Sequence, residues 1–214
     1  KFVLPVSNRI KKQLVSLHPS IKSKSVVVAY PGIHEVSVKQ TTAIRNIKTD
    51  ARFVFIGKEW KRKGLILAVQ IIDHYASLFG RCTMEVYGPA SFDLPIFIRQ
   101  HPNLLFKGWS NDIQWSNYDA LIHPATIEPF GMVVPEARSR GVPVLTTNLV
   151  GSTELEYKGV IALNASEPIE TWTASLVALI SNRSAKATEI KWTWRQLALK
   201  HMLEIYPLVT KEID

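Results

Sequence analysis

The strongest constraint on this chain is its rhythm. Six short apolar runs, at residues 52–56, 82–87, 103–107, 120–122, 142–146 and 160–163, are separated by longer amphipathic segments. The first holds Phe53-Val54-Phe55-Ile56 without a polar break, as expected of a strand covered on both faces. The segments between read as helices over 65–79, stopped by Gly80, over 94–100, over 113–117, and over 132–140, closed by Gly141. A short turn or helix opens at Gly151, and 168–181 and 185–206 read as further helices. Strands that alternate with helices pair in parallel through crossovers. The expected fold class is therefore α/β, a doubly wound, Rossmann-like parallel sheet. Ligands on such sheets bind beyond the carboxyl ends of the strands, at the point where the strand order reverses.

Ahead of this rhythm, 2–6 reads as a strand, Ser7 as an N-cap, and 8–17 as a helix with apolar Ile10, Leu14 and Leu17. Residues 25–29 read as a second strand, Tyr30 to His34 as a turn, and 36–50 as a loop with a weak helix or edge strand. A chain of 214 residues buries roughly 70% of its unfolded surface and needs no covalent staples. Its one cysteine, Cys82, lies in an apolar run and reads as a buried structural thiol. No apolar run approaches the roughly 20 residues of a spanning helix, and the N-terminus lacks a signal-peptide pattern, so a soluble, cytoplasmic protein is expected. Twenty-six basic against 18 acidic residues leave a net charge of +8, which attracts phosphate-bearing partners. Nucleic acid is not expected among them, because no zinc-knuckle, RRM or KH pattern is present and the aromatics are not interleaved with the basic runs. The charge also suits peripheral docking at an inner membrane face.

The run from Ala120 to Gly141 carries the chemistry. A strand ends at His123-Pro124-Ala125, and a loop punctuated by Pro129 and Gly131 leads into the next helix. Pro135 is tolerated only in a first turn, so that helix begins no earlier than about Gly131 and leaves amides free to meet an anion such as a diphosphate. Glu128 precedes those amides, and Glu136 follows with seven residues between. Taken alone, Glu128 could equally be a solvated loop residue and Glu136 part of the outer helix face. The run Glu128-Pro129-Phe130-Gly131-Met132-Val133-Val134-Pro135-Glu136-Ala137, followed by Gly141-Val142-Pro143-Val144, resembles the E-x7-E signature of retaining glycosyltransferases of the two-domain GT-B fold, specifically family 4.

That resemblance implies roles. Glu128 would meet hydroxyls of the donor sugar and steady positive charge at its anomeric carbon, the catalytic contribution. Glu136 would accept hydrogen bonds from the ribose. The backbone of Phe130, Gly131 and Met132 would line sugar and phosphates. Family members carry two cations after an earlier strand that hold the donor diphosphate, and Lys58 and Lys63, in Gly57-Lys58 and Lys63-Gly64, fall on those positions. Lys58 stands where arginine is commoner, so a bidentate grip becomes a point charge. Lys61 and Arg62 are extra and read as solvated. Gly108 and Trp109 match a strand end that reads the nucleobase, with Trp109 either stacking on the base or simply a surface tryptophan. His123 reads as structural, bonding backbone, and Glu154 as a helix cap. Trp192, Trp194, Leu197 and Leu203 read as core packing. No metal site is expected, since the histidines lack ligand spacing and no Asp-x-Asp is present.

The resemblance divides the chain into 1–33, the tail of an acceptor-side domain and its crossover, and 34–214, the nucleotide-sugar (donor) domain. The function implied is metal-independent, cofactor-free transfer of a sugar from a nucleoside-diphosphate sugar to an acceptor glycan, lipid or small molecule, in polysaccharide or glycoconjugate biosynthesis. An N-terminal acceptor domain would be missing or on another chain. The alternatives are a nucleotide-sugar binding module inactive without that domain and, from another enzyme class, a sugar-nucleotide epimerase of related fold.

Overall fold

The computed structural model describes residues 3–21, 26–33, 50–90, 93–182 and 193–204. The expected loop at 36–50 lies outside the described residues, save for Asp50. Six strands form one sheet: β1 (Ala51–Ile56), β2 (Cys82–Tyr87), β3 (Leu104–Gly108), β4 (Ala120–His123), β5 (Val144–Thr147) and β6 (Val160–Leu163). Their order is β3-β2-β1-β4-β5-β6, and every neighbouring pair is parallel. The order reverses between β1 and β4, which is where such a sheet opens a crevice.

Helices cover both faces, and the strands' side chains divide accordingly. Phe53, Phe55, Met84, Ile122 and Leu145 meet α2 (Leu65–Phe79) and α5 (Ile169–Ser181) on one side, with Trp172 buried among them. Val54, Leu121 and Val144 meet α4 (Val133–Ser139) and the 3-10 turn Trp115–Asn117 on the other. Burial on both faces is the reason these strands read as unbroken apolar runs rather than alternating ones. Cys82 is buried, and burial pushes its thiol up to about 12, as suits a structural residue.

Several boundaries differ from expectation. The helix expected over 94–100 shrinks to α3 (Ile96–Arg99), because Pro95 holds an extended conformation at its N-cap. The strand expected from 142 begins at Val144, just past Pro143, which has no N–H for a ladder. The strands expected at 2–6 and 25–29 reduce, among the described residues, to one parallel bridge between Val3 and Val26 outside the main sheet. Helix α1 (Asn8–Leu17) follows its Ser7 cap as expected, the Ser7 hydroxyl accepting from Ile10 N–H at 3.3 Å.

The helix expected from 185 onward begins, in its described part, only at α6 (Trp194–Glu204). Thr193 and Gln196 close a reciprocal capping box there: Thr193 N–H donates to Gln196 Oε1 at 3.1 Å, and Gln196 N–H donates to Thr193 Oγ1 at 3.3 Å. Thr193 also bridges to Ile33, joining this helix to the N-terminal segment. Of the tryptophan and leucine set expected in the core, Leu197 is buried, whereas Trp194 and Leu203 are exposed; Trp192 lies outside the described residues.

Candidate donor-binding site

The two central strands end level. Phe53 of β1 pairs with Ala120 of β4, and each strand stops three residues later, at Ile56 and His123. The loop 57–64 leaves β1 and the loop 124–132 leaves β4, side by side on the edge where the strand order reverses. Backbone contacts join them: Thr126 N–H donates to Arg62 C=O at 2.9 Å, and the Thr126 hydroxyl donates to the same oxygen at 3.2 Å. Gly64 makes this approach feasible. Its φ is +80°, and a Cβ there would lie 2.0 Å from Pro124 O.

Across this seam Lys63 donates its ammonium to Glu128 Oε2, and Arg62 Nη1 reaches the same oxygen at 3.2 Å. Glu128 is only 8% exposed. A carboxylate so far out of water needs compensation, and these two cations provide it. Lys58 stands on the same loop with its side chain in solvent. The cationic loop and the carboxylate therefore share one rim of the sheet.

The loop beyond Glu128 is folded back on the segment after β5. Gly151 N–H donates to Glu128 O at 3.0 Å, and Ser152 N–H donates to Phe130 O at 2.7 Å. Gly131, at φ +84°, turns the chain tightly, and a Cβ there would lie 2.6 Å from Val150 Cγ1 and 3.0 Å from Glu128 Cγ. Val134 N–H donates to Gly131 O and Glu136 N–H to Met132 O, so the amides of Gly131, Met132 and Val133 precede the first turn's closing bonds. Phe130 is buried, its ring 6.2 Å from that of Tyr30. Glu136 is half-buried in the first turn of α4, where the helix dipole favours a negative charge.

Thus Lys63, Glu128, Phe130, Gly131, Met132 and Glu136 gather at the β1/β4 edge, with Lys58 on the adjoining loop. Gly108 and Trp109 lie at the end of β3, two strands from β1, and Trp109 is 71% exposed. Among the described residues no group of three or more His, Cys, Asp or Glu side chains comes together as a metal site. No described helix is long and apolar enough to cross a membrane.

Two expectations require correction and one is sharpened. Lys61 is exposed, its ammonium 5.3 Å from the Trp60 ring, but Arg62 is not a solvated cation: it also donates to Ile127 O at 2.7 Å and to both carboxylate oxygens of Glu59. The spacing of Glu59 and Arg62 hinted at their ion pair; the reach to Ile127 and Glu128, some 65 residues on, left no local trace. His123 does not bond backbone through its ring. Among the described residues both ring nitrogens are buried without a hydrogen-bond partner, while its carbonyl accepts from Thr146 Oγ1 at 2.7 Å and Ala125 N–H at 2.9 Å. Burial, aided by the charges of Lys63 and Arg62, pushes the imidazole down to about 3, so it is neutral.

Glu154 is a helix cap, and the helix is α1. Its carboxylate accepts from Asn8 N–H at 2.8 Å and Arg9 N–H at 2.9 Å, and Tyr30 Oη donates to it at 3.2 Å. Burial first, then the carboxylate, raises the Tyr30 phenol to about 12. The N-terminal segment is thereby held against the turn that follows β5.

Comparison with known proteins gives the family and the fold. The family model described as "Glycosyl transferases group 1" matches residues 50–182, more than half of the chain. A Klebsiella pneumoniae protein, "Uncharacterized 41.2 kDa protein in cps region", is 26% identical over 123 residues, covering 54% of this chain and 33% of its own length. The solved "lipopolysaccharide outer core galactosyltransferase WaaB apo form" superposes with a TM-score of 0.71 at 18% identity, covering 96% of this chain and 62% of that one. Anabaena Alr3699/HepE, solved in complex with UDP and glucose, gives 0.69 at 17% identity, covering 96% of this chain and 63% of that one. The chain thus spans about three fifths of these solved proteins, and its fold is the Rossmann-like α/β fold of GT-B C-terminal domains. By the family match over its whole central sheet, this chain belongs to the group 1 glycosyl transferases.

Proposed function

We propose that the chain is the donor-binding half of a retaining, family 4 glycosyltransferase that takes a sugar from a nucleoside diphosphate without a metal ion. The observation that carries this reading is the meeting of Lys63 with the buried Glu128 at the edge where the strand order reverses. Cleaving a glycosyl–phosphate bond creates an oxocarbenium-like carbon and a diphosphate anion, and these need opposite partners within a few ångströms of each other. Glu128 faces the carbon; Lys63, Lys58 and the amides of Gly131 and Met132 meet the diphosphate. Glu136 takes the ribose hydroxyls. Gly108 and Trp109 meet the base.

In the reaction, the anomeric carbon's bond to the diphosphate oxygen breaks and its bond to an acceptor hydroxyl oxygen forms on the same face. The hydroxyl proton passes to the departing diphosphate, so no enzyme nucleophile is required. The acceptor, whether glycan, lipid or small molecule, binds a separate domain, to which residues 1–33 are the crossover and 34–214 the donor side. Work in polysaccharide or glycoconjugate assembly, in the cytoplasm or at the inner membrane face, suits such a donor.

A second reading is a nucleotide-sugar binding module that turns over only with an acceptor domain; the chain spans about three fifths of its solved relatives. Family membership removes the ground for the epimerase. Titration calorimetry with UDP, GDP and ADP sugars tests the site. Micromolar binding by the wild type, weakened at least tenfold in Lys63→Ala and Glu136→Ala, is expected. No binding of any nucleotide sinks both readings. Sugar transfer by residues 1–214 alone decides between them, and none, or slow donor hydrolysis, is expected, since a donor site needs an opposing wall to exclude water.

A further inference from the structure

Arg62 does more than neutralise. Its Nε and Nη2 donate to Glu59 at 2.7 and 3.2 Å, while its Nη1 donates to Ile127 O at 2.7 Å and to Glu128 Oε2 at 3.2 Å. Its carbonyl accepts both the N–H and the hydroxyl of Thr126. One residue thus holds the three positions leading into Pro129. Glu59 fixes one edge of the planar guanidinium, and the other edge is left to grip the β4 loop.

Lys63 approaches the same Oε2 of Glu128 as a single ammonium, without the planar fork that lets Arg62 bind Glu59 at the same time. An arriving diphosphate carries more charge than one carboxylate and competes for that ammonium. Were Lys63 the sole counter-charge, its departure would strand Glu128, whose side chain is 10% exposed. We propose that Arg62 is a positioning residue: it keeps Glu128 paired and aimed at the donor sugar once Lys63 has moved to the diphosphate. This rests on the reading of the cleft as a donor site. Lys63 and Glu128 pair directly across the seam, and donor binding exchanges that one partner while Arg62 holds the geometry.

The test compares a nucleoside diphosphate with its matching nucleotide sugar, using the tightest pair among the UDP, GDP and ADP compounds, in wild type, Arg62→Gln, Arg62→Lys, Glu128→Gln and the Arg62→Gln/Glu128→Gln double variant. In Arg62→Gln, affinity for the diphosphate alone is expected to stay within about threefold, while affinity for the nucleotide sugar falls about tenfold, the scale of one charged hydrogen bond. Glu128→Gln shows the same selective loss, and the double variant loses no more than either single one. Arg62→Lys recovers part, since an ammonium reaches one acceptor but not the full set. Additive losses, equal loss of both ligands in Arg62→Gln, or no loss at all would overturn the proposal. If Arg62→Gln does not fold, Arg62→Lys runs the same cycle. Failure of the wild type to bind any of these compounds is a different outcome, which removes the donor-site reading and this inference with it.

Discussion

His123→Leu probes the oddest group in the sheet. The native imidazole is buried at the end of β4 with neither ring nitrogen bonded among the described residues, and its pKa is pushed down to about 3. In the unfolded chain it titrates near its ordinary value of about 6.5. The unfolded state therefore takes up a proton first as the pH falls. The stability held above pH 6.5 drains away toward pH 3, at about 1.4 kcal/mol per pH unit. Between about pH 7.5 and about pH 5 the wild type loses about 2 kcal/mol from this residue alone. Leucine has no proton to gain and leaves no unbonded nitrogen, so the variant is expected to match or exceed the wild type near pH 7.5 and to lose about 2 kcal/mol less on acidification. Urea denaturation at the two pH values measures both quantities. An identical acid loss in the two proteins, or a leucine variant destabilised by more than about 2 kcal/mol near neutrality, refutes the reasoning. Either result means the ring is paired in solution.

Glu154→Ala removes the carboxylate from the Asn8 and Arg9 amides and is expected to cost about 1–2 kcal/mol, with faster hydrogen exchange at those two positions. In the same variant the Tyr30 phenol is expected to titrate below its native value of about 12 while staying above 10, because burial remains the larger cause. Ultraviolet difference titration against Tyr30→Phe reads this directly, and an unchanged titration speaks against the contact. Gly64→Ala places a Cβ 2.0 Å from Pro124 O at φ +80° and is expected to cost about 3 kcal/mol or more, read by thermal melting. A near-neutral effect would mean that the two loops do not meet as described.

Strand positions were legible because a parallel sheet covered on both faces demands unbroken apolar runs, which Phe53 to Ile56 and Ala120 to Ile122 supply. Helix ends were legible where one residue settles them: Ser7 before α1, Gly80 after α2, Gly141 after α4. The two motif loops, with Lys63-Gly64 and Glu128 to Glu136, could likewise be read off, because glycine and proline at fixed places announce tight turns. Where Pro95 moved a boundary, the signal was local and present, but an apolar pattern beside it was stronger.

What the linear chain by itself decided is the alternation, and through it the kind of sheet. Only the folded chain decided who stands opposite whom: Lys63 and Arg62 on Glu128, Glu154 on the head of α1 at a separation of 146 residues, and the ring of His123 beside Phe55 with no polar partner among the described residues. The physical reason is range. Propensity and turn chemistry act over a few residues, whereas ion pairing and desolvation depend on distances that exist only once the sheet has brought distant loops to one rim.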